Sequence, residues 1–101
     1  MARQRDTYIG HYEDVAKSQT AQVLGASGAV GDYLQGILVV PETTAPGTIA
    51  LLDGDVSRNI LVTGTYELRP IWLALGMRSV NGAWKITTGD NVHCIAVGVF
   101  S

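Results

Sequence analysis

The sequence predicts an all-β protein, a single-domain β-sandwich of seven to eight strands, and three observations lead to this fold class. The 101 residues are rich in Val, Ile, Thr and Gly and poor in Lys and Glu, a composition that favours strands. Short apolar runs recur at intervals of roughly 8–14 residues, with turn residues between them. No segment has a convincing helical period. With about eight strands, a jelly roll is the first expectation and an immunoglobulin-like sandwich the alternative.

The last quarter of the chain, residues 76–100, sets this architecture. Asn81-Gly82 lies between two β-type runs and predicts a two-residue hairpin turn, in which both residues accept a positive φ. After it, residues 84–88 alternate between an apolar and a polar face, as in a strand with one solvated side. Residues 88–91 (TGDN) then predict a further turn.

The closing run, residues 92–100, is apolar on both of its faces. The two faces carry the following side chains: Val92, Cys94, Ala96 and Phe100 on one, and Ile95, Val97 and Val99 on the other. A strand of this kind needs cover on both sides, either from a second sheet or from another subunit. We therefore assign Ile95, Val97, Val99 and Phe100 to a core strand that also contacts a second copy of the chain.

Five further strands are predicted in chain order: residues 18–24, 32–40, 48–52, 58–63 and 66–75. In the second of these, Gly36 marks a bulge, because glycine weakens a regular ladder. Simple alternation places Tyr33, Gln35, Ile37 and Val39 on one face of this strand and Leu34, Leu38 and Val40 on the other. In the fifth, Pro70 opposes a helix and favours an edge strand or a strand that begins after it.

Three glycines, Gly25, Gly28 and Gly31, are spaced by three residues in a way that resembles a phosphate-binding turn. In proteins that have such a phosphate-binding turn, a helix follows it directly and an acidic residue lies about 20 residues further on. Here a strand-like segment follows, so the glycines predict a connection between strands.

Residues 1–17 differ from the rest because charged and aromatic side chains crowd into them without a clear period. We read them as an extended N-terminal arm, followed by a β-sandwich domain at residues 18–101. The arm offers Arg3, Arg5, Tyr8, Ile9 and Tyr12 as partner-binding residues. The alternative is a frayed terminus, which is common in small domains.

Composition also limits the partners. Charged residues make up only 16% of the chain and hydrophobic ones 47%, which favours a homo-oligomer, a dimer or a trimer, over a compact monomer. The formal net charge of −2 argues against a nucleic-acid partner, which would demand many phosphate contacts. No apolar run approaches a membrane span, and no signal peptide is visible, so we expect synthesis in the cytoplasm and no membrane partner.

No catalytic, cofactor or metal site is predicted, and we expect no enzyme. Asp53 and Asp55 flank a glycine as in a calcium loop, but position 64, where that motif needs a glutamate, is Gly64. His93 and the lone Cys94 point to opposite faces of one strand, which argues against a thiolate–imidazole pair. Cys94 is expected to be a buried thiol.

Two tryptophans, Trp72 and Trp84, fall in predicted strands. Such rings can stack on a sugar or a base, but core packing is the commoner role of a tryptophan in a strand. We therefore expect both in the core.

Two stretches resemble a known group of proteins. They are residues 18–34, which contain LGA and GDY, and residues 76–98, which contain NGAWK. They are similar to small β-rich proteins encoded among the virion structural genes of tailed bacteriophages. The shared residues form turns, a core tryptophan and apolar strands, so the resemblance implies a virion component without assigned chemistry.

This resemblance implies a capsid decoration or cement protein on the outer capsid surface, with the major capsid protein as its partner. The alternative is a head fibre or a tail or receptor-binding component that uses the same sandwich. A glycan-binding tip should carry exposed aromatics grouped with Asp or Asn at loop tips.

Overall fold

The structure, a computed structural model, describes residues 11–43, 45–64 and 68–101, without the side chain of His11. In these ranges the chain forms no helix and eight strands: β1 (His11–Val15), β2 (Gln22–Val23), β3 (Tyr33–Pro41), β4 (Ile49–Asp53), β5 (Val56–Leu61), β6 (Ile71–Arg78), β7 (Trp84–Thr88) and β8 (Val92–Val99). Every strand pair is antiparallel. The all-β prediction is therefore confirmed.

The strands form two sheets of four. Sheet A has the order β1-β8-β3-β6, and sheet B has the order β2-β7-β4-β5. Among the described strands, only β4 and β5 are consecutive strands of one sheet, and Gly54 and Asp55 make the turn between them. Each of the other connections between these strands runs from one sheet to the other.

The inner faces of the two sheets share one hydrophobic core. Its buried members come from both sheets: Val15, Leu24, Leu34, Ile37, Val39, Ile49, Leu51, Trp84, Ile86, Val92, Cys94 and Ala96. Alternate residues of β7 and of β8 are buried, as the sequence pattern predicts. Each large side chain that is fully buried in this way contributes about 1.5–3 kcal/mol to folding.

Strand β3 contains the bulge that Gly36 predicts. The register of β3 against both β6 and β8 shifts between Leu34 and Gly36. Because of the extra residue, Leu34 shares the inner face with Ile37 and Val39, and all three are fully buried. The faces predicted by simple alternation are therefore wrong before the bulge, since a one-residue slip exchanges the two faces of a strand.

The region predicted as an arm overlaps the first strand. Strand β1 pairs with β8 along its whole length, and its last residue, Val15, is fully buried. The carboxylate of Glu13 accepts a hydrogen bond from the Gly25 amide at 2.8 Å. Residues 11–15 thus belong to the sheet, because the backbone groups along this edge of β8 need partners.

The prediction of a hairpin turn at Asn81-Gly82 is wrong. Strand β6 ends in sheet A and β7 begins in sheet B, so residues 79–83 connect the two sheets rather than two neighbouring strands. Neither Asn81 nor Gly82 has a positive φ, which a two-residue hairpin turn would require. The turn at residues 88–91 likewise links β7 in sheet B to β8 in sheet A.

Asp53 holds the connection at residues 79–83 in place. One oxygen of its carboxylate accepts hydrogen bonds from the amides of Val80 and Asn81, each at 3.0 Å. Gly82 lies against the β4–β5 turn, where a methyl group on it would approach the Cα of Gly54 at 2.9 Å. The glycine is therefore needed for close approach of two backbones and not for a positive φ.

The predicted strands at residues 66–75 and 18–24 are both shorter than expected at their N-terminal ends. Strand β6 begins directly after Pro70 and forms an edge of sheet A, as the proline predicts. The segment before β2 is held by Thr88, whose hydroxyl donates to the carbonyl of Ala16 at 2.5 Å and accepts from the Gln19 amide at 2.9 Å. These side-chain bonds add to two backbone bonds in this segment, from the Thr88 amide to the Gln19 carbonyl and from the Ser18 amide to the Gly89 carbonyl.

We expect Gly36→Ala to lower the free energy of unfolding by about 1–3 kcal/mol, the usual cost of overpacking. The added methyl group would lie 2.5 Å from the Trp72 ring and 2.6 Å from the Leu73 carbonyl oxygen. Urea unfolding measures the change. Gln35→Ala, at the exposed neighbouring position, is the matched control. Equal stability of the two variants would contradict this account of the bulge.

We expect Asp53→Ala to destabilise the protein by about 1–3 kcal/mol, because the amides of Val80 and Asn81 lose their acceptor. Asp55→Ala is the control, since Asp55 is exposed in the same turn. Thermal unfolding should show a lower Tm for the first variant only. An equal loss in both variants would mean that the carboxylate does not hold the connection.

Candidate interaction surface

The candidate site is the outer face of sheet A, the side turned away from sheet B. The registers between its four strands place these side chains on it: Tyr12, Asp14, Tyr33, Leu38, Val40, Trp72, Ala74, Arg78, His93, Ile95, Val97 and Val99. Two central rows cross all four strands: Tyr12, Val97, Gly36 and Ala74 in one, and Asp14, Ile95, Leu38 and Trp72 in the other. The middle of these rows is therefore apolar, with Asp14 at the β1 end of the second row and the exposed Gln35 beside the first row at the bulge.

Several of these apolar side chains are open to solvent. Tyr12 is 69% exposed, Trp72 47% and Val99 44%, while Ile95 and Val97 are half-buried between them. The largest apolar patch on a protein is often a functional contact site. The face is thus a surface suited to a macromolecular partner rather than to a small molecule.

Trp72 lies on this outer face, and the prediction of a core position is wrong. Its ring lies across Gly36, as shown by the 2.5 Å approach that a methyl group on Gly36 would make to the ring. The bulge and the glycine together let a flat aromatic side chain lie on the sheet. A half-exposed tryptophan on a rigid strand is a typical anchor residue of an interface.

Charged groups lie at the margin of the face. At one end the Arg78 guanidinium lies 5.8 Å from the centroid of the Tyr33 ring and donates to the carbonyl of Gly31. At the other end Nδ1 of His93 is 2.8 Å from a carboxylate oxygen of Glu42. An apolar centre with a polar rim is the usual anatomy of a protein–protein interface.

The structure brings together part of the predicted site. Ile95, Val97 and Val99 lie on the outer face next to Tyr12, as the two-faced pattern of residues 92–100 predicts. Phe100 points the other way and is partly buried against the core. The remaining predicted arm residues lie outside the described residues: Arg3, Arg5, Tyr8 and Ile9.

Sequence reasoning missed the contribution of β3 and β6 to this face. Leu38 and Val40 of β3, with Trp72 and Ala74 of β6, extend the apolar surface beyond β8. Alternation within each strand was the available signal, but it does not say which strands are neighbours. That information resides in the long-range pairing of β3 with β6 and β8.

A metal site is not found among residues 11–43, 45–64 and 68–101. These ranges contain no group of three or more His, Cys, Asp or Glu side chains that could hold a metal ion. His93 faces outward and Cys94 inward, so the two side chains lie on opposite faces of β8. The described residues also include no helix long and apolar enough to cross a membrane.

A cleft of about 350 Å³ lies between the edge strands β5 and β6. Its lining combines apolar and polar side chains: Leu51, Asp53, Val56, Arg58, Ile60, Leu75, Met77, Asn81 and Trp84. Trp84 is only 4% exposed, and its indole N–H donates to the Asp32 carbonyl at 2.9 Å. The ring is therefore part of the core, as predicted, and is not presented for stacking on a sugar.

Comparisons with protein-family models, with curated proteins and with solved structures find no match to this chain.

We expect Cys94 to resist thiol reagents in the folded protein, because it is fully buried and burial raises the pKa of its thiol from 9.0 to about 12. The neutral thiol stabilises the fold at pH values below 9, and this contribution is lost as the pH rises towards 12. Mass spectrometry after iodoacetamide treatment should find label only in urea-unfolded protein. Complete labelling of the folded protein at the unfolded rate would contradict the buried assignment.

Proposed function

We propose that this protein is a structural subunit of a tailed-bacteriophage virion, a decoration or cement protein on the outer capsid surface that binds and stabilises the head shell. The observation that carries the proposal is the apolar outer face of sheet A, on a body whose described residues include no group that could hold a metal ion. Such a body suits contacts with other proteins. The resemblance of residues 18–34 and 76–98 to virion proteins supplies the biological setting.

We also propose that the two sheets form a jelly roll. The strand order supports this topology, because β1 pairs with β8, β2 with β7, β3 with β6 and β4 with β5. This is the pairing of one long hairpin wrapped into two sheets. Jelly rolls occur in viral capsid proteins, in lectins and in cupins, so this topology is compatible with a virion role.

The position of the exposed aromatic side chains favours a cement protein over a receptor-binding tip. Among the described residues, the large aromatics with substantial exposure are Tyr12 and Trp72, and both lie on strands of sheet A. A glycan-binding tip would instead group such rings with Asp or Asn at loop ends. The flat apolar face fits a protein surface.

The second element of the proposed attachment is the segment that precedes β1. Residues 1–10 contain Arg3, Arg5, Tyr8 and Ile9, and they join the body at an edge strand of sheet A. We assign them the role of a docking arm for the major capsid protein. Tyr8 and Ile9 would supply buried apolar area, and the arginines would pair with carboxylates of the shell.

Many copies on a symmetric shell make modest contacts sufficient. Each buried anchor side chain contributes about 1–2 kcal/mol. If subunits are joined to one another, the second attachment becomes intramolecular and the overall affinity rises without new contacts. A cement protein therefore needs a stiff body and more than one contact, and it needs no pocket.

We expect the double substitution Tyr8→Ser and Ile9→Ser to weaken binding to shells by about tenfold or more, the effect of losing roughly 1–2 kcal/mol per anchor. Shells of the phage that encodes the protein, assembled without it, are mixed with the variant and sedimented. The control is Val30→Ser with Val80→Ser, which changes two apolar side chains that are 62% and 75% exposed.

A deletion of residues 1–10 is the second form of this test, and it stops before His11 because β1 belongs to sheet A. If the truncated protein has an unchanged far-UV circular dichroism spectrum and still binds the shells with undiminished affinity, the arm has no docking role. Failure of the unaltered protein to bind these shells at all would reject the cement function itself.

A further inference from the structure

We propose that the outer face of sheet A is a dimer interface, occupied by the same face of a second copy, with a twofold axis that crosses the strands at right angles. Each strand of one copy then lies over the same strand of the other copy, running in the reverse direction. The inference goes beyond the virion role, because it concerns the free protein and holds whether or not a shell is its partner.

The distribution of polarity supports a partner with the same chemistry. The centre of the face is apolar, with Ile95, Val97 and Leu38 flanked by Tyr12 and Trp72. A second copy of this face offers an equally apolar centre, so no charge is buried there. Isologous contact of one patch with itself is also the commonest way in which a soluble protein forms an oligomer.

The size of the face agrees with a reversible dimer. Four strands about 4.8 Å apart and eight residues at about 3.3 Å each give a projected area on the order of 500 Å² per copy. The two copies together then bury on the order of 1,000 Å², near the lower limit for a specific interface. We therefore expect a dimer whose dissociation is seen on dilution.

The charged ends of the face select the orientation. Arg78 lies at one end, and Glu42 with His93 lies at the other. A twofold axis across the strands exchanges the two ends of each strand. The Arg78 guanidinium leans over Tyr33 at the start of β3, so it approaches Glu42 of the mate, which follows the end of β3. Two such ion pairs at the rim fix the register of the dimer more than they add to its affinity.

The other face-to-face arrangement, with the axis along the strands, is less favourable. It would exchange the edges of the sheet and set Asp14 of β1 against Trp72 of the second copy. A carboxylate covered by an indole ring loses its hydration without gaining a partner. With the axis across the strands, Asp14 instead faces Tyr12 of the mate, whose hydroxyl is a hydrogen-bond donor.

The first test is sedimentation equilibrium of the full chain over a dilution series. We expect a monomer–dimer equilibrium, and we expect Val97→Lys to raise its Kd by about tenfold or more, because the ammonium group would enter the apolar centre. Val30→Lys adds the same charge at an exposed loop position and should leave the Kd unchanged. Tyr12→Glu is a second disrupting variant, since Tyr12 is already 69% exposed and the new carboxylate would face Asp14 of the mate.

The second test addresses the orientation by charge reversal. Arg78→Glu alone and Glu42→Arg alone should each raise the dimer Kd, because each places like charges opposite one another. The double variant restores opposite charges and should bring the Kd back towards that of the unaltered protein. If the two substitutions instead act independently, so that the double variant raises the dimer Kd by the product of the two single effects, the proposed axis is overturned.

Two results would overturn the dimer itself. One is a protein that stays monomeric at every attainable concentration. The other is a dimer that Val97→Lys and Tyr12→Glu leave unchanged although both variants fold. If the protein is monomeric and Val97→Lys abolishes binding to shells, the face is occupied by a shell protein and not by a second copy. That last outcome leaves the proposed virion function intact.

Discussion

The structure depends on the placement of β8, a strand that is apolar on both faces and lies between β1 and β3. Both of its edges need hydrogen-bonding partners, and β1 and β3 supply them. Its inner face needs apolar cover, and sheet B supplies it through the common core. Residues 11–15 therefore pair with β8 and belong to the sheet, whereas the outer face of β8 remains without cover. This uncovered apolar face is the interaction surface.

Local pattern was sufficient where the determining contacts are local. The alternation in β7 and β8, the β4–β5 turn, the start of β6 after Pro70 and the bulge at Gly36 follow from residue type and spacing alone. The Asn81-Gly82 hairpin failed because a turn signal does not say whether the flanking strands share a sheet. Here they belong to different sheets, and Asp53, distant in sequence, decides the course of the chain.

The interaction surface was predictable in part for the same reason. Ile95, Val97 and Val99 could be found because both faces of one strand are visible in one short run of sequence. Trp72 could not, because its exposure follows from the edge position of β6 and from the ring lying across Gly36 of β3. The arm boundary was misplaced since β1 shows no clear alternation, and its pairing with β8 spans the whole length of the chain.

The proposed dimer and the proposed attachment are connected through β1. Residues 1–10 join sheet A at the beginning of this strand, and Tyr12, its second residue, lies at the rim of the outer face. A twofold axis across the strands reverses β1 of one copy relative to that of its mate. The two copies of His11, to which residues 1–10 are joined, would then lie towards opposite ends of the paired β1 strands. A dimer carries two such segments on one body, whereas a monomer carries one.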